Sequence, residues 1–451
     1  MNKTTTTESE RYPTLTDSGR KMLKFLQEHP NAPIFRNQSG NRLSAEDVKR
    51  VIAFEKESCA AEVGWIPNKF PGWLSDFVER CFREVPYYRS YGGIPLKFYD
   101  IPTIHRGDLS EDIAQFFPDD VSIDRLINFR TSGTTGHPLL LASHPVVAAN
   151  YLAFHKRALK HYGIELKHGR GQVGVALIGF QRRCFTYVSV TPTMGESGLV
   201  KINLHPSDWR DPEDRALYLD AIAAEIYTGD PISFSELAKL PVKTFPRAML
   251  STSMTLQSSF RRQLEKRFQC PVLDLYSLNE AGPIAFADKK TGGYKLLQHC
   301  MYIEITDRMG RPVKIDERGE ITLTGGFNFC LPLLRYRTGD YATLKFIDGE
   351  PMLFDLEGRP PVRFRTMTGE WINNIEITHS LLPFSIPRFT LHQYSDGSLL
   401  LQVLGTMGFH QEIRDSILEL FGKGQKMEIS EMIEPEGKMI QYTSDLEGSL
   451  F

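Results

Sequence analysis

The hydrophobic rhythm of this chain changes twice along its length, and those changes restrict its architecture more than any single residue does. Up to about residue 300, helical stripes alternate with short β-type runs. Ser44, with Asp47 three residues on, carries a capping-box pattern that opens a helix through Val51, Ile52 and Phe54. Pro71 starts another, with Trp73, Phe77, Val78 and Phe82 on one stripe. Pro145 to Tyr162 and Glu213 to Tyr227 read as further helices; Gln172–Phe180 and Pro271–Tyr276 read as strands. From Tyr302 the pattern shortens. Met301–Ile305, Glu320–Thr324, Tyr341–Phe346 and Pro351–Phe354 alternate between turns such as Asp348-Gly349. Leu356-Glu357-Gly358-Arg359-Pro360-Pro361 reads as a hinge, stiffened by two prolines and freed by a glycine. Beyond it come a strand at Ser398–Gly405 and a helix at Phe409–Phe421 with Ile413, Ile417, Leu420 and Phe421 inward. The expected fold is α/β. A large N-terminal domain of mixed sheets and helices spans 1–357, with a strand-rich subdomain from about 300, and a small C-terminal α+β lid domain spans 358–451.

A chain of 451 residues can build more than one core. Its 53 basic and 55 acidic side chains nearly cancel, so it lacks the basic footprint that nucleic acid or an anionic membrane requires. The sequence MNKTTTTESERYP has no apolar secretion signal, and runs such as Val175–Phe180 are too short to cross a bilayer. A cytoplasmic protein with no membrane partner is expected. The six cysteines are scattered without a C-x-x-C pair, which argues against a disulfide framework or a thiolate zinc site. His299-Cys300 has no partner pair at ligand spacing and reads as a buried thiol beside an ordinary histidine.

Four segments carry chemistry. In Thr131-Ser132-Gly133-Thr134-Thr135-Gly136-His137-Pro138, glycines let the backbone curl so that several N–H groups face one anion, and the hydroxyls add donors: a phosphate-binding loop. No Walker loop is present. Gly169-Arg170-Gly171-Gln172-Val173-Gly174 fits G-x-G-x-x-G, but it precedes a strand instead of following one, so it reads as a plain loop. Tyr276-Ser277-Leu278-Asn279-Glu280-Ala281-Gly282 lies at a strand's C-terminal end, where α/β folds place ligands; Glu280 suits Mg²⁺, Tyr276 suits a base, and a solvated helix cap is the structural alternative. Arg335-Tyr336-Arg337-Thr338-Gly339-Asp340 offers a carboxylate on a tight turn, able to accept two ribose hydroxyls. Glu436-Gly437-Lys438 places a lysine near the C-terminus.

In this order the motifs resemble the adenylate-forming superfamily of acyl-CoA synthetases, peptide-synthetase adenylation domains and luciferases, and look most like its phenylacetate–CoA ligase branch. The resemblance spans roughly Asn128 to Lys438. It implies an AMP-forming ligase that activates a carboxylic acid with Mg²⁺ and ATP and passes the acyl-adenylate to CoA, a carrier protein or an amine. Thr131, Ser132, Gly133, Thr134, Thr135 and Gly136 would hold phosphates, with the Asn279 amide donating to a phosphate oxygen. Tyr276 would stack on adenine, Glu280 would bind Mg²⁺, Asp340 would hold the ribose, and Arg359 would sit by the ribose and phosphates. Lys438 would reach in from the lid while the adenylate forms. Phe180, Phe185, Tyr187, Ser251 and Ser253 are candidate acid-pocket residues; an aromatic wall would favour an aryl acid. His137 replaces the family's lysine, Asn279 its threonine, and Pro360-Pro361 its usual hinge aspartate. These departures point to a specialised biosynthetic enzyme. The alternative from another class is a catalytically reduced relative that binds nucleotide or acyl-adenylate as a carrier or partner protein. A homodimer is a further open expectation.

Overall fold

The computed structural model describes residues 6–130, 140–180, 184–358, 362–373, 377, 380–381, 383–384, 386, 389–404, 410–432 and 441–449. Its frame is one 13-stranded sheet with two halves of different character. In chain order the strands used below are β1 (Val173–Gly179), β2 (Tyr187–Thr191), β3 (Ser197–Asn203), β4 (Ile226–Gly229), β5 (Ala248–Ser251), β6 (Val272–Leu278), β7 (Gly282–Ala287), β8 (Tyr294–Leu296), β9 (Met301–Thr306), β10 (Arg318–Gly325), β11 (Leu333–Ile347) and β12 (Glu350–Gly358). They lie side by side as β9-β10-β11-β12-β8-β7-β6-β5-β4-β1-β3-β2. Ile104–His105 adds a short parallel strand against β11.

From β6 to β3 the pairing is parallel, and β2 closes that edge antiparallel. These strands are covered on both faces, so β1 and β4 are almost continuously apolar. One face packs against Asp214–Ile222, Pro231–Lys239 and Ser258–Phe268. The other packs against α2 (Pro145–His161), through Phe154, Ala158 and Leu159. On this second face α1 (Ala45–Ala60) lies across α2; its Ser44–Asp47 capping box forms as expected. From β6 to β9 the pairing is antiparallel and encloses its own core around Ile284, Ile303, Leu323 and Tyr336.

Three expected boundaries move. The helix begun near Glu213 stops at Ile222, where Ala223 turns left-handed at φ +41°. Ile226 and Tyr227 then enter β4, since a buried apolar run fits either element and only the sheet decides. Thr338-Gly339-Asp340 lies inside the 15-residue strand β11 instead of on a free turn. Leu356–Gly358, the start of the expected hinge, continues β12. A small C-terminal α+β region has its own core, with Ile413, Ile417 and Phe421 of the helix His410–Phe421 against Phe389–Gln393 and Leu399–Val403. Among the described residues no helix is long and apolar enough to cross a membrane.

Candidate active site

The site grows from one hairpin. β6 and β7 pair with Leu278 opposite Gly282, leaving Asn279, Glu280 and Ala281 as the connection. The segment is therefore a hairpin, not a helix cap. Gly282 sits at φ +72°, and a Cβ there would stand 2.3 Å from the Phe327 ring and 3.4 Å from Tyr151, so only glycine fits. Gln298 braces the hairpin from behind: its Nε2 donates to the carbonyls of Ala281 and Pro283, at 2.7 Å each. Asn279 is exposed at the tip, whereas Glu280 is only 4% exposed.

A carboxylate that deep requires partners. Arg106 Nη1 donates to Glu280 Oε1 at 2.7 Å, and the Tyr336 hydroxyl donates to the same oxygen at 3.3 Å. Among the described residues no hydrogen bond reaches Oε2. Tyr151 of α2 faces this carboxylate; burial, then the Glu280 charge, pushes its phenol up to about 12. Register explains how Arg106 arrives. Ile104 pairs with Tyr336 and His105 with Arg337, so Arg106 leaves that strand beside β11.

β11 supplies the second carboxylate through a bulge. Tyr341 pairs with Glu320 and Arg337 with Thr322, so Thr338, Gly339 and Asp340 face Ile321 alone. Gly339 bends at φ +77°. The bulge is pinned on both sides. Arg337 Nε donates to Glu320 Oε2 at 2.8 Å, Gly339 N–H to Glu320 Oε1 at 2.9 Å, and the Thr338 hydroxyl to the Ile321 carbonyl at 2.9 Å. Asp340 is thereby presented to β6, where the Tyr276 hydroxyl donates to its Oδ2 at 2.8 Å. Burial, and after it the Asp340 charge, hold the Tyr276 phenol well above its ordinary pKa, so it stays a neutral donor. Gly358, which precedes Arg359, pairs with Asp340.

Tyr276 and Asp340 therefore meet directly, and Glu280 lies near them through Tyr336, whose phenol feels both carboxylate charges, with Asn279 exposed beside Glu280. Arg106, Tyr151 and Tyr336 join them, though no sequence motif singled them out in this role; Arg106 is 174 positions from Glu280. The acid-pocket candidates lie along the same rim but spread over it. Ser251 ends β5, fully buried, and its hydroxyl has no described partner. Ser253 follows on an exposed turn at φ +72°. Phe180 follows β1 and lies 5.7 Å from His205. Tyr187 is on edge strand β2, 5.6 Å from the 52% exposed Phe185. Four strand spacings separate Tyr187 from Ser251, about 19 Å across a flat sheet. Thr131, Ser132, Gly133, Thr134, Thr135 and Gly136 lie outside the described residues, as do His137, Arg359, Pro360, Pro361 and Lys438.

No protein-family model matches the sequence, and no curated protein matches it either. Solved structures do. The chain has the fold of the adenylate-forming enzymes. It is similar to 2-hydroxyisobutyryl-CoA ligase in the postadenylation state in complex with 2-HIB-AMP, with a TM-score of 0.61 and 18% identity over 90% of each chain. The open conformation of that ligase, in complex with 2-HIB-AMP and CoA, matches at 0.53 and 18% identity, over 82% of this chain and 90% of the other. The anthranilate CoA ligase AuaEII in complex with anthranoyl-AMP matches at 0.50 and 13% identity, over 69% and 64%.

Proposed function

We propose that this chain is an AMP-forming ligase that activates a carboxylic acid as its adenylate. One observation carries the reading: in an adenylate-forming fold, Tyr276, Glu280 and Asp340 converge beside the sheet's C-terminal rim. The acid carboxylate attacks the α-phosphorus of ATP, its oxygen bonds to phosphorus, and pyrophosphate leaves. The solved relatives in complex with acyl-adenylates support ATP as the nucleotide and a small organic acid as substrate. The relative in complex with CoA supports CoA as acceptor; a carrier protein or an amine would need the same adenylate.

Within this site the Tyr276 ring stacks on adenine while its hydroxyl holds Asp340 in place to accept the ribose hydroxyls. The Thr131–Gly136 loop cradles phosphates ahead of α2. Arg359 follows Gly358 beside Asp340, and Lys438 comes from the C-terminal lid, whose boundary we place near residue 358. Ser251 and Ser253, with Phe180, Phe185 and Tyr187 farther along the rim, form the acid side. Glu280 fits Mg²⁺ carried on ATP, because Oε2 is a hard ligand without a described partner and such an ion needs only one or two carboxylates beside phosphate oxygens. Bound, Mg²⁺ would offset phosphate charge. Among the described residues no group of three His, Cys, Asp or Glu side chains is placed to hold a metal ion, and the ATP phosphates would supply the remaining oxygens beside Glu280.

The test is ATP–pyrophosphate exchange across a panel of aryl and aliphatic acids. Exchange with at least one acid is expected. No exchange together with no ATP binding would overturn the reading, and tight ATP binding without exchange would favour the carrier alternative. Lys438→Ala should abolish exchange; full exchange would remove that lysine from the mechanism.

A further inference from the structure

Three arginines stand against β11, and two of them turn into the fold. Arg335 is buried and donates to Glu304 and to the carbonyls of Tyr99, Ile101 and Gly310. Arg337 turns to Glu320 and to the Arg308 carbonyl. Arg106, brought beside β11 by the pairing of Ile104 with Tyr336, differs from both. Its side chain is 36% exposed, whereas that of its partner Glu280 is 4% exposed, so solvent meets the guanidinium first. A guanidinium carries five N–H donors, and the described bond to Glu280 uses one, at Nη1.

The charges of this corner give that arginine a task. The Tyr336 phenol feels Glu280 and Asp340 as negative and Arg106 as positive. Arg106 is the cation among these three. The segment proposed to cradle phosphates, Thr131–Pro138, contains no lysine or arginine. A triphosphate arriving here meets two carboxylates, and without Arg106 the described groups would repel it. Arginine also suits the ligand, because its planar fork matches two phosphate oxygens at once.

We propose that Arg106 grips the pyrophosphate end of ATP, dividing its donors between Glu280 and the phosphate oxygens. The inference rests on the adenylation reading. When the acid oxygen bonds to the α-phosphorus, the bond from that phosphorus to the bridging oxygen breaks, and its electron pair leaves on pyrophosphate. Arg106 offsets the charge that gathers there, while Glu280 holds the guanidinium at the rim.

Calorimetry on the full chain, with metal-free pyrophosphate and ATP as probes, tests the assignment without turnover. Arg106→Gln alone would leave Glu280 buried and unpaired, so the deciding comparison is made where that carboxylate is already gone. Glu280→Gln removes a negative charge and should bind pyrophosphate more tightly than the wild-type chain. Adding Arg106→Gln to it should weaken pyrophosphate at least about tenfold, and adding Arg106→Lys instead should recover part of that loss. Thermal melts check that each variant is folded. Equal pyrophosphate affinity in Glu280→Gln and Glu280→Gln/Arg106→Gln, or ATP binding without pyrophosphate binding, overturns the role of Arg106 and leaves adenylation standing. Binding of neither probe overturns both.

Discussion

Two arginine–carboxylate pairs stand against the same strand, and they differ in how fully the carboxylate is used. Arg335 and Glu304 are 2% and 1% exposed. The guanidinium meets the carboxylate in a fork, at 3.1 and 2.9 Å, and spends its remaining donors on the carbonyls of Tyr99, Ile101 and Gly310. Nothing is left over for a ligand. Arg106 and Glu280 are 36% and 4% exposed, and one carboxylate oxygen keeps no described partner. The first pair locks a core; the second leaves a charged group poised at a rim. A saturated pair suits a structural role, whereas the Glu280 oxygen without a described partner suits the Mg²⁺ role proposed for it.

Arg335→Met leaves Glu304 buried and unpaired, and a loss of about 3–5 kcal/mol is expected in urea unfolding. A loss under about 1 kcal/mol would show that the pair is not the lock described here.

Glu280→Gln should behave in the opposite way. The amide still accepts from Arg106, so stability should change little, while pyrophosphate exchange should fall roughly 10²–10³-fold. Equal losses of stability and activity would make Glu280 structural too.

Tyr276→Phe sharpens the picture of the second site. It removes one hydrogen bond to a charged group, about 1.5–3 kcal/mol, so the KM for ATP should rise about tenfold or more. A change confined to kcat would place Tyr276 elsewhere in the reaction.

The smallest effect concerns Asp274, one turn of the pleat below Tyr276. It accepts from Tyr294 at 2.7 Å, and burial raises its carboxyl pKa to about 6 from 3.8. A raised carboxyl pKa means the folded chain holds the proton more tightly. Its contribution to stability is therefore present at low pH and lost as pH rises through about 6. Asp274→Asn should flatten the pH dependence of the urea midpoint between pH 4 and 7. An unchanged slope would assign it to other groups.

Much of this was legible in residue order, and the illegible part has a physical cause. The Ser44–Asp47 cap, the helix begun at Pro145, and the strand that carries Tyr276, which runs two residues beyond it to Leu278, rest on local geometry, so short-range patterns reported them. Glu213–Tyr227 misled because apolar residues at helical spacing continue into a buried strand. Arg335 and Arg337 sit in one motif with Asp340, yet both turn inward to Glu304 and Glu320. Motif membership does not report which way a side chain faces.

By itself the sequence determined the order in which the Thr131–Gly136 segment, Tyr276, Glu280, Asp340 and Lys438 follow one another, because residue order is read without knowing which way a side chain faces. It also determined near-neutral charge and the succession of helices, strands and small C-terminal region. Tertiary structure alone decided which groups meet. The parallel pairing of Ile104 with Tyr336 brings Arg106 to Glu280, and the bulge opposite Ile321 turns Asp340 toward Tyr276. Such pairings depend on register between segments far apart in the chain, and register is settled only when the whole sheet buries its faces.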